Sequence, residues 1–210
     1  MLVLNFLWIM PQNYWDLLNN YSRHIAICTL PIAFCVASYA AKRGIDEWKW
    51  RNYDDMSSID RETNKSLKAE LDASFSYNPY YNYSEALAKY EARDYNGALH
   101  NITVCEKYMA DYDVQLLKVQ CLLHLGKYKD TELLAEHTHY MCPNRFYPLY
   151  YLALGYYAEN KKKEMQQIWK EIMEKETKVN SWDIMVIKYM AEKIYKEGRD
   201  CCIDSFIDIR

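Results

Sequence analysis

From Tyr95 onward the chain repeats itself at a spacing of 33 to 34 residues. Tyr95 with Ala98 is followed by Tyr128 with Thr131, and then by Lys162 with Met165. Ahead of each pair stands a short polar break, Arg93 and Asp94, then Gly126 and Lys127, then Asn160 and Lys161, of the residue types that end a helix. A unit of this length holds two helices and a turn. Neither helix can bury its apolar face alone, so successive pairs must stack on their neighbours. The recurrence therefore predicts an all-α protein built as an α-solenoid. Only 5 Gly and 5 Pro in 210 residues is too little punctuation for a β protein, and 21 Tyr suit the half-buried positions between helix pairs.

The residues on the predicted faces sharpen the reading. Val119, Leu122, Gly126, Tyr128, Ala135 and Pro143 mark the middle unit, and Leu149, Leu152, Ala153, Tyr156, Trp169 and Ile172 the third. Ala86, Tyr90, Tyr95, Ala98, Ile102 and Cys105 fit a first unit whose inter-helix turn is one residue shorter. This order of large, small and aromatic positions resembles the tetratricopeptide repeat, which implies antiparallel helix pairs and a groove that binds other proteins. The repeat domain is expected over 67–198. It opens with an amphipathic helix through Leu67, Leu71 and Phe75, which Asn78 and Pro79 stop. It closes with a helix capped by Ser181 that covers the stack through Trp182, Met185, Ile187, Met190, Ala191 and Ile194. Residues 199–210 show no convincing period and read as a frayed or bound tail.

Residues 1–51 are read as a hydrophobic membrane region. Ile25 to Ala41 carries no charge over 17 residues, the short edge of a transmembrane helix, and Pro31 is tolerated inside one. A buried helix of a soluble repeat adaptor is the competing reading. A cleavable signal would need an n-region of more than twenty apolar residues, which argues against it. Lys42, Arg43, Lys49 and Arg51 outnumber Arg23 on the other flank, placing the C-terminal domain on the cytoplasmic side of the membrane. A polar linker is expected over 52–66.

Little in the chain points to chemistry. Acids number 29 against 26 bases, without the basic surplus of a nucleic-acid binder. The 7 cysteines form no CxxC spacing. His137 and His139 stand two apart on a predicted helix, about 200° around its axis, and cannot share an ion comfortably. Asp54 with Asp55, and Asp111 with Asp113, read as solvated carboxylates, and Lys161 to Lys163 as a solvated turn. With no nucleophile elbow, P-loop or GxGxxG, no enzyme, cofactor or metal site is expected. Most aromatic side chains are expected in the repeat core. On the first helix of the third unit, Tyr147, Tyr150 and Tyr151 are the candidate partner-binding groove, since a ring offers a large contact at low rotamer cost.

A second resemblance spans most of the chain. The stretches NPYYNYSEAL from Asn78, PNRFYPLYYLALGYY from Pro143 and KVNSWDI from Lys178, behind a hydrophobic lead-in, look like the C-terminal end of a Bacteroides-type O-antigen ligase or polymerase family protein. That resemblance implies a role in surface polysaccharide assembly beside a glycan-assembly enzyme. The family's glycosyl transfer belongs to a many-helix membrane domain that this sequence does not contain, so no catalytic residue carries over.

Overall fold

A computed structural model describes residues 12–56, 58–178 and 181–197, with the side chains at 12–18, 23–28, 30, 58–59, 62 and 196–197 outside that description. The described residues form ten helices and no strand. They fall into two compact units, Met1–Ser74 and Phe75–Arg210.

In the first unit α1 runs unbroken from Gln12 to Asp54, 43 residues with Pro31 inside it. The short α2 (Ser58–Thr63) and α3 (Lys65–Phe75) follow. Within this unit α3 returns antiparallel to α1: Lys49 pairs with Glu70, and the Arg43 guanidinium donates to the Ser74 carbonyl. Arg61 closes the corner, donating to the carbonyls of Asp54 and Met56 while lying over the Tyr53 ring. The expected linker over 52–66 is therefore largely helical. Its Glu, Arg and Lys are good helix formers, and a corner clamped by an arginine needs no apolar stripe.

The predicted membrane segment lies inside α1, and part of it, residues 25–28 and 30, has side chains outside the description. Among the described residues no helix is long and apolar enough to cross a membrane. Every described side chain from Pro31 to Ala40 is exposed.

The second unit holds three helix pairs and a closing helix: α4 (Pro79–Glu91) with α5 (Tyr95–Glu106), α6 (Tyr112–His124) with α7 (Tyr128–Met141), α8 (Tyr147–Ala158) with α9 (Lys162–Glu174), and α10 (Trp182–Glu197). Asn78 does more than end α3. Its side chain accepts from the backbone N–H groups of Tyr80 and Tyr81, and Pro79 takes the first position of α4, where a missing N–H costs nothing.

The recurrence is written into the three intra-pair turns. Arg93, Gly126 and Asn160 each adopt a left-handed conformation, at φ 62°, 69° and 58°. In each turn the next residue's N–H reaches back five positions, Asp94 to Lys89, Lys127 to Leu122 and Lys161 to Tyr156. The left-handed residue bonds three back, to Tyr90, Leu123 and Tyr157. This is the two-bond helix stop of the Schellman type. All three turns have the same length, so the shorter first turn expected from the sequence is not present. Arg93 stands where glycine would have revealed the register.

Burial repeats with the turns. Ala86, Val119 and Ala153 are fully buried at one level of the first helices. Ala98, Thr131 and Met165, then Ile102, Ala135 and Trp169, then Cys105, Thr138 and Ile172 form three buried columns on the second helices. Thr131 and Thr138 satisfy their hydroxyls on the carbonyls of Lys127 and Leu134, so neither is a stranded polar group. Each helix packs on the next in sequence, and the first helices of successive pairs also meet, α4 with α6 and α6 with α8.

Candidate partner-binding site

α8 begins where the α7–α8 connection ends, at Phe146, and carries the three tyrosines singled out above. Apolar residues occupy every side of this helix, and Pro148 through Gly155 are all buried. Such a helix is surrounded rather than docked on one face. Here α6, α7 and α9 enclose it. Tyr150 is 0% exposed, in edge contact with Trp169 at 6.1 Å between ring centroids, and Tyr151 is 1% exposed, its hydroxyl bonded to the Gln120 amide. Neither can offer a ring to a ligand, which corrects the expectation for both. Tyr147, one residue into α8, is half-buried, and its hydroxyl donates to Asp183 at 2.9 Å across to the start of α10. Burial, then the Asp183 carboxylate, push its phenol up to about 12, so it stays a neutral donor.

Tyr147 borders a cleft of about 500 Å³ between the α7–α8 and α9–α10 connections. Phe146, Tyr147 and Ile184 give it apolar surface. Arg145, Lys175 and Lys178 supply cations, Glu176 and Asp183 acids. The Lys175 and Lys188 ammonium groups stand over the Phe146 ring at 5.6 and 5.5 Å. Lys175 donates to the Pro143 carbonyl and Lys188 to the Lys175 carbonyl. Burial pulls the Lys175 ammonium below its ordinary value, against a smaller upward pull from Glu171. Arg145 lies 5.8 Å from the centre of the Tyr112 ring.

Sequence reading missed this cleft, although a signal was available. Arg145 and Lys178 stand 33 residues apart, one repeat, so the stack sets their connections side by side. The closing helix was also read only in part. Ile187, Met190, Ala191 and Ile194 are buried as expected, but Trp182 is 76% and Met185 55% exposed, and with Tyr189 at 60% they line the opposite side of α10.

The polar residues weighed for chemistry are placed as follows. His137 is exposed, whereas His139 is half-buried with Glu171 at 3.8 Å. Among the described residues no group of three or more His, Cys, Asp or Glu side chains could hold a metal ion. Asp54, Asp55, Asp111 and Asp113 are all exposed. Lys161 is not merely solvated: Glu132 at 2.7 Å and Glu159 at 2.6 Å hold it, and these bonds, Glu132 first, raise its pKa. Cys105 and Cys121 are buried, and burial pushes their thiols up to about 11 and about 12.

Scanned against protein-family models, curated proteins and solved structures, the chain finds no match.

Proposed function

We propose that this chain is a membrane-anchored helical-repeat protein of tetratricopeptide type that docks another protein on its stacked pairs. The observation that carries this reading is the identical left-handed turn at Arg93, Gly126 and Asn160, with the first helices of successive pairs in contact. Stacked pairs of this kind present a long side-chain surface for a partner rather than an enclosed reaction site. The anchor rests on α1, where the exposed run from Pro31 to Ala40 carries no charge and so calls for an apolar surrounding. The setting, assembly of a surface polysaccharide beside a glycan-assembly enzyme, rests on the sequence resemblance. A second reading takes the chain as a subunit or C-terminal piece of a glycan ligase or polymerase. The same uncharged run favours it, since such a helix can pair with other membrane helices.

The test uses the full chain expressed in bacterial cells with a photo-crosslinking residue at Tyr80, Asp113 or, as control, Leu133, all exposed. The reading expects the chain to stay with membranes through a carbonate wash, and one discrete adduct from the first-helix positions Tyr80 and Asp113 but not from Leu133. Release by carbonate would overturn the anchor, and absence of adducts at every position would overturn the docking role.

A further inference from the structure

The cleft at the end of the stack is lined by Arg145, Lys175 and Lys178, and Lys188 stands beside it over the Phe146 ring. Lys118 and Lys161, half-buried elsewhere in the stack, hold Glu106 and Glu132 at 2.7 Å. Among the described residues no carboxylate stands within 4.0 Å of Arg145, Lys175, Lys178 or Lys188. Two of the four sit over one ring, and both donate only to backbone carbonyls. Of the two acids on the lining, Asp183 already accepts the Tyr147 hydroxyl.

We propose that this cleft receives a carboxylate-bearing segment of the docked protein, with acidic and apolar residues alternating. The assignment rests on the docking role above and names the partner's chemistry. An arginine fork and flexible lysines suit carboxylates, and the floor of Phe146, Tyr147 and Ile184 suits an apolar side chain between them. One residue past Ser181 on the rim begins the exposed stripe of Trp182, Met185 and Tyr189, on the outer side of the last described helix. The end of a helical row is ordinarily polar on its outer side, so an apolar stripe there fits a partner's apolar residues. A nucleic acid is disfavoured because the chain's net charge is -3 and only Arg145, Lys175 and Lys178 supply cations on the lining.

The test is fluorescence anisotropy of the full chain in phosphatidylcholine nanodiscs with a fluorescein-labelled hexapeptide alternating glutamate and leucine. Binding is expected, at least about 10-fold weaker for the glutamine version and weaker in added salt. The double variant R145Q/K178Q, both exposed positions, should weaken binding by about the same factor with unchanged melting, and K162Q/K163Q should leave it intact. Equal binding of the glutamine peptide, or equal loss from K162Q/K163Q, overturns the proposal. Binding of pyrophosphate or short-chain phosphatidylglycerol, read by calorimetry, without peptide binding also overturns it, reassigning the cleft to phosphate groups. If peptide binding fails while the adducts at Tyr80 and Asp113 persist, only the cleft is wrong. If both fail, the docking role falls with it.

Discussion

The three left-handed turn residues offer a graded test of the repeat, because two of them, Arg93 and Asn160, hold a side chain in the conformation that Gly126 adopts without strain. Holding a residue with a Cβ there costs about 1–2 kcal/mol, and glycine avoids the cost. Gly126→Ala meets no steric obstacle, since an added Cβ would lie 3.7 Å from the Tyr128 hydroxyl. Its penalty is therefore conformational, less about 0.4–1 kcal/mol regained by restricting the unfolded chain. The net loss is about 1 kcal/mol, or about 3–5 °C in melting temperature for a unit of this size. Arg93→Gly reverses the balance and gains about 0.5–1 kcal/mol by the same two terms. Asn160→Gly gains less, because asparagine tolerates this conformation better than arginine. Thermal unfolding of the full chain followed at 222 nm reads all three. A neutral Gly126→Ala together with a destabilising Arg93→Gly would refute the claim that the turns share one geometry.

Other outcomes follow from the core and its titrating groups. Trp169→Ala removes the largest fully buried side chain among the described residues and should cost about 3–5 kcal/mol in urea unfolding, whereas an alanine at exposed Trp182 should change stability by less than about 0.5 kcal/mol. His139 is held below the ordinary imidazole value, first by burial and then by the charge of Lys175. The unfolded chain therefore takes up a proton that the folded chain refuses. Stability should fall as pH drops through about 6.5 toward the lower folded value and be flat above it, and His139→Gln should remove that slope. Cys105 and Cys121, buried with raised pKa values, should resist iodoacetamide at pH 8 until the protein unfolds, as mass spectrometry would show.

The architecture was legible because a helix pair that must stack leaves a spacing in the chain. Ala98, Thr131 and Met165 share a column whatever their chemistry. The first turn was misjudged because Arg93 adopts the conformation that glycine advertises at Gly126. The groove tyrosines were misjudged for a different reason. A face is read from the contrast between apolar and polar sides, and α8 has none, so nothing local distinguished Tyr150 and Tyr151 from Tyr147. The closing helix carries apolar residues on two sides, and the pattern did not say which would meet the stack. The cleft draws on three stretches that meet only when the third pair closes, and its cations carry no motif. Its residues become visible once the repeat register places Arg145 beside Lys178.

The claim beneath all of this is that one helix-stop recurs at Asp94, Lys127 and Lys161, each amide bonded five residues back. Amide hydrogen exchange of the full chain at single-residue resolution tests it directly. The account predicts that these three amides are protected well above the rate of a free peptide, at a 33 and 34 residue spacing, as part of the folded stack. Exchange of any one of them at the free-peptide rate, while the flanking helices stay protected, would contradict it.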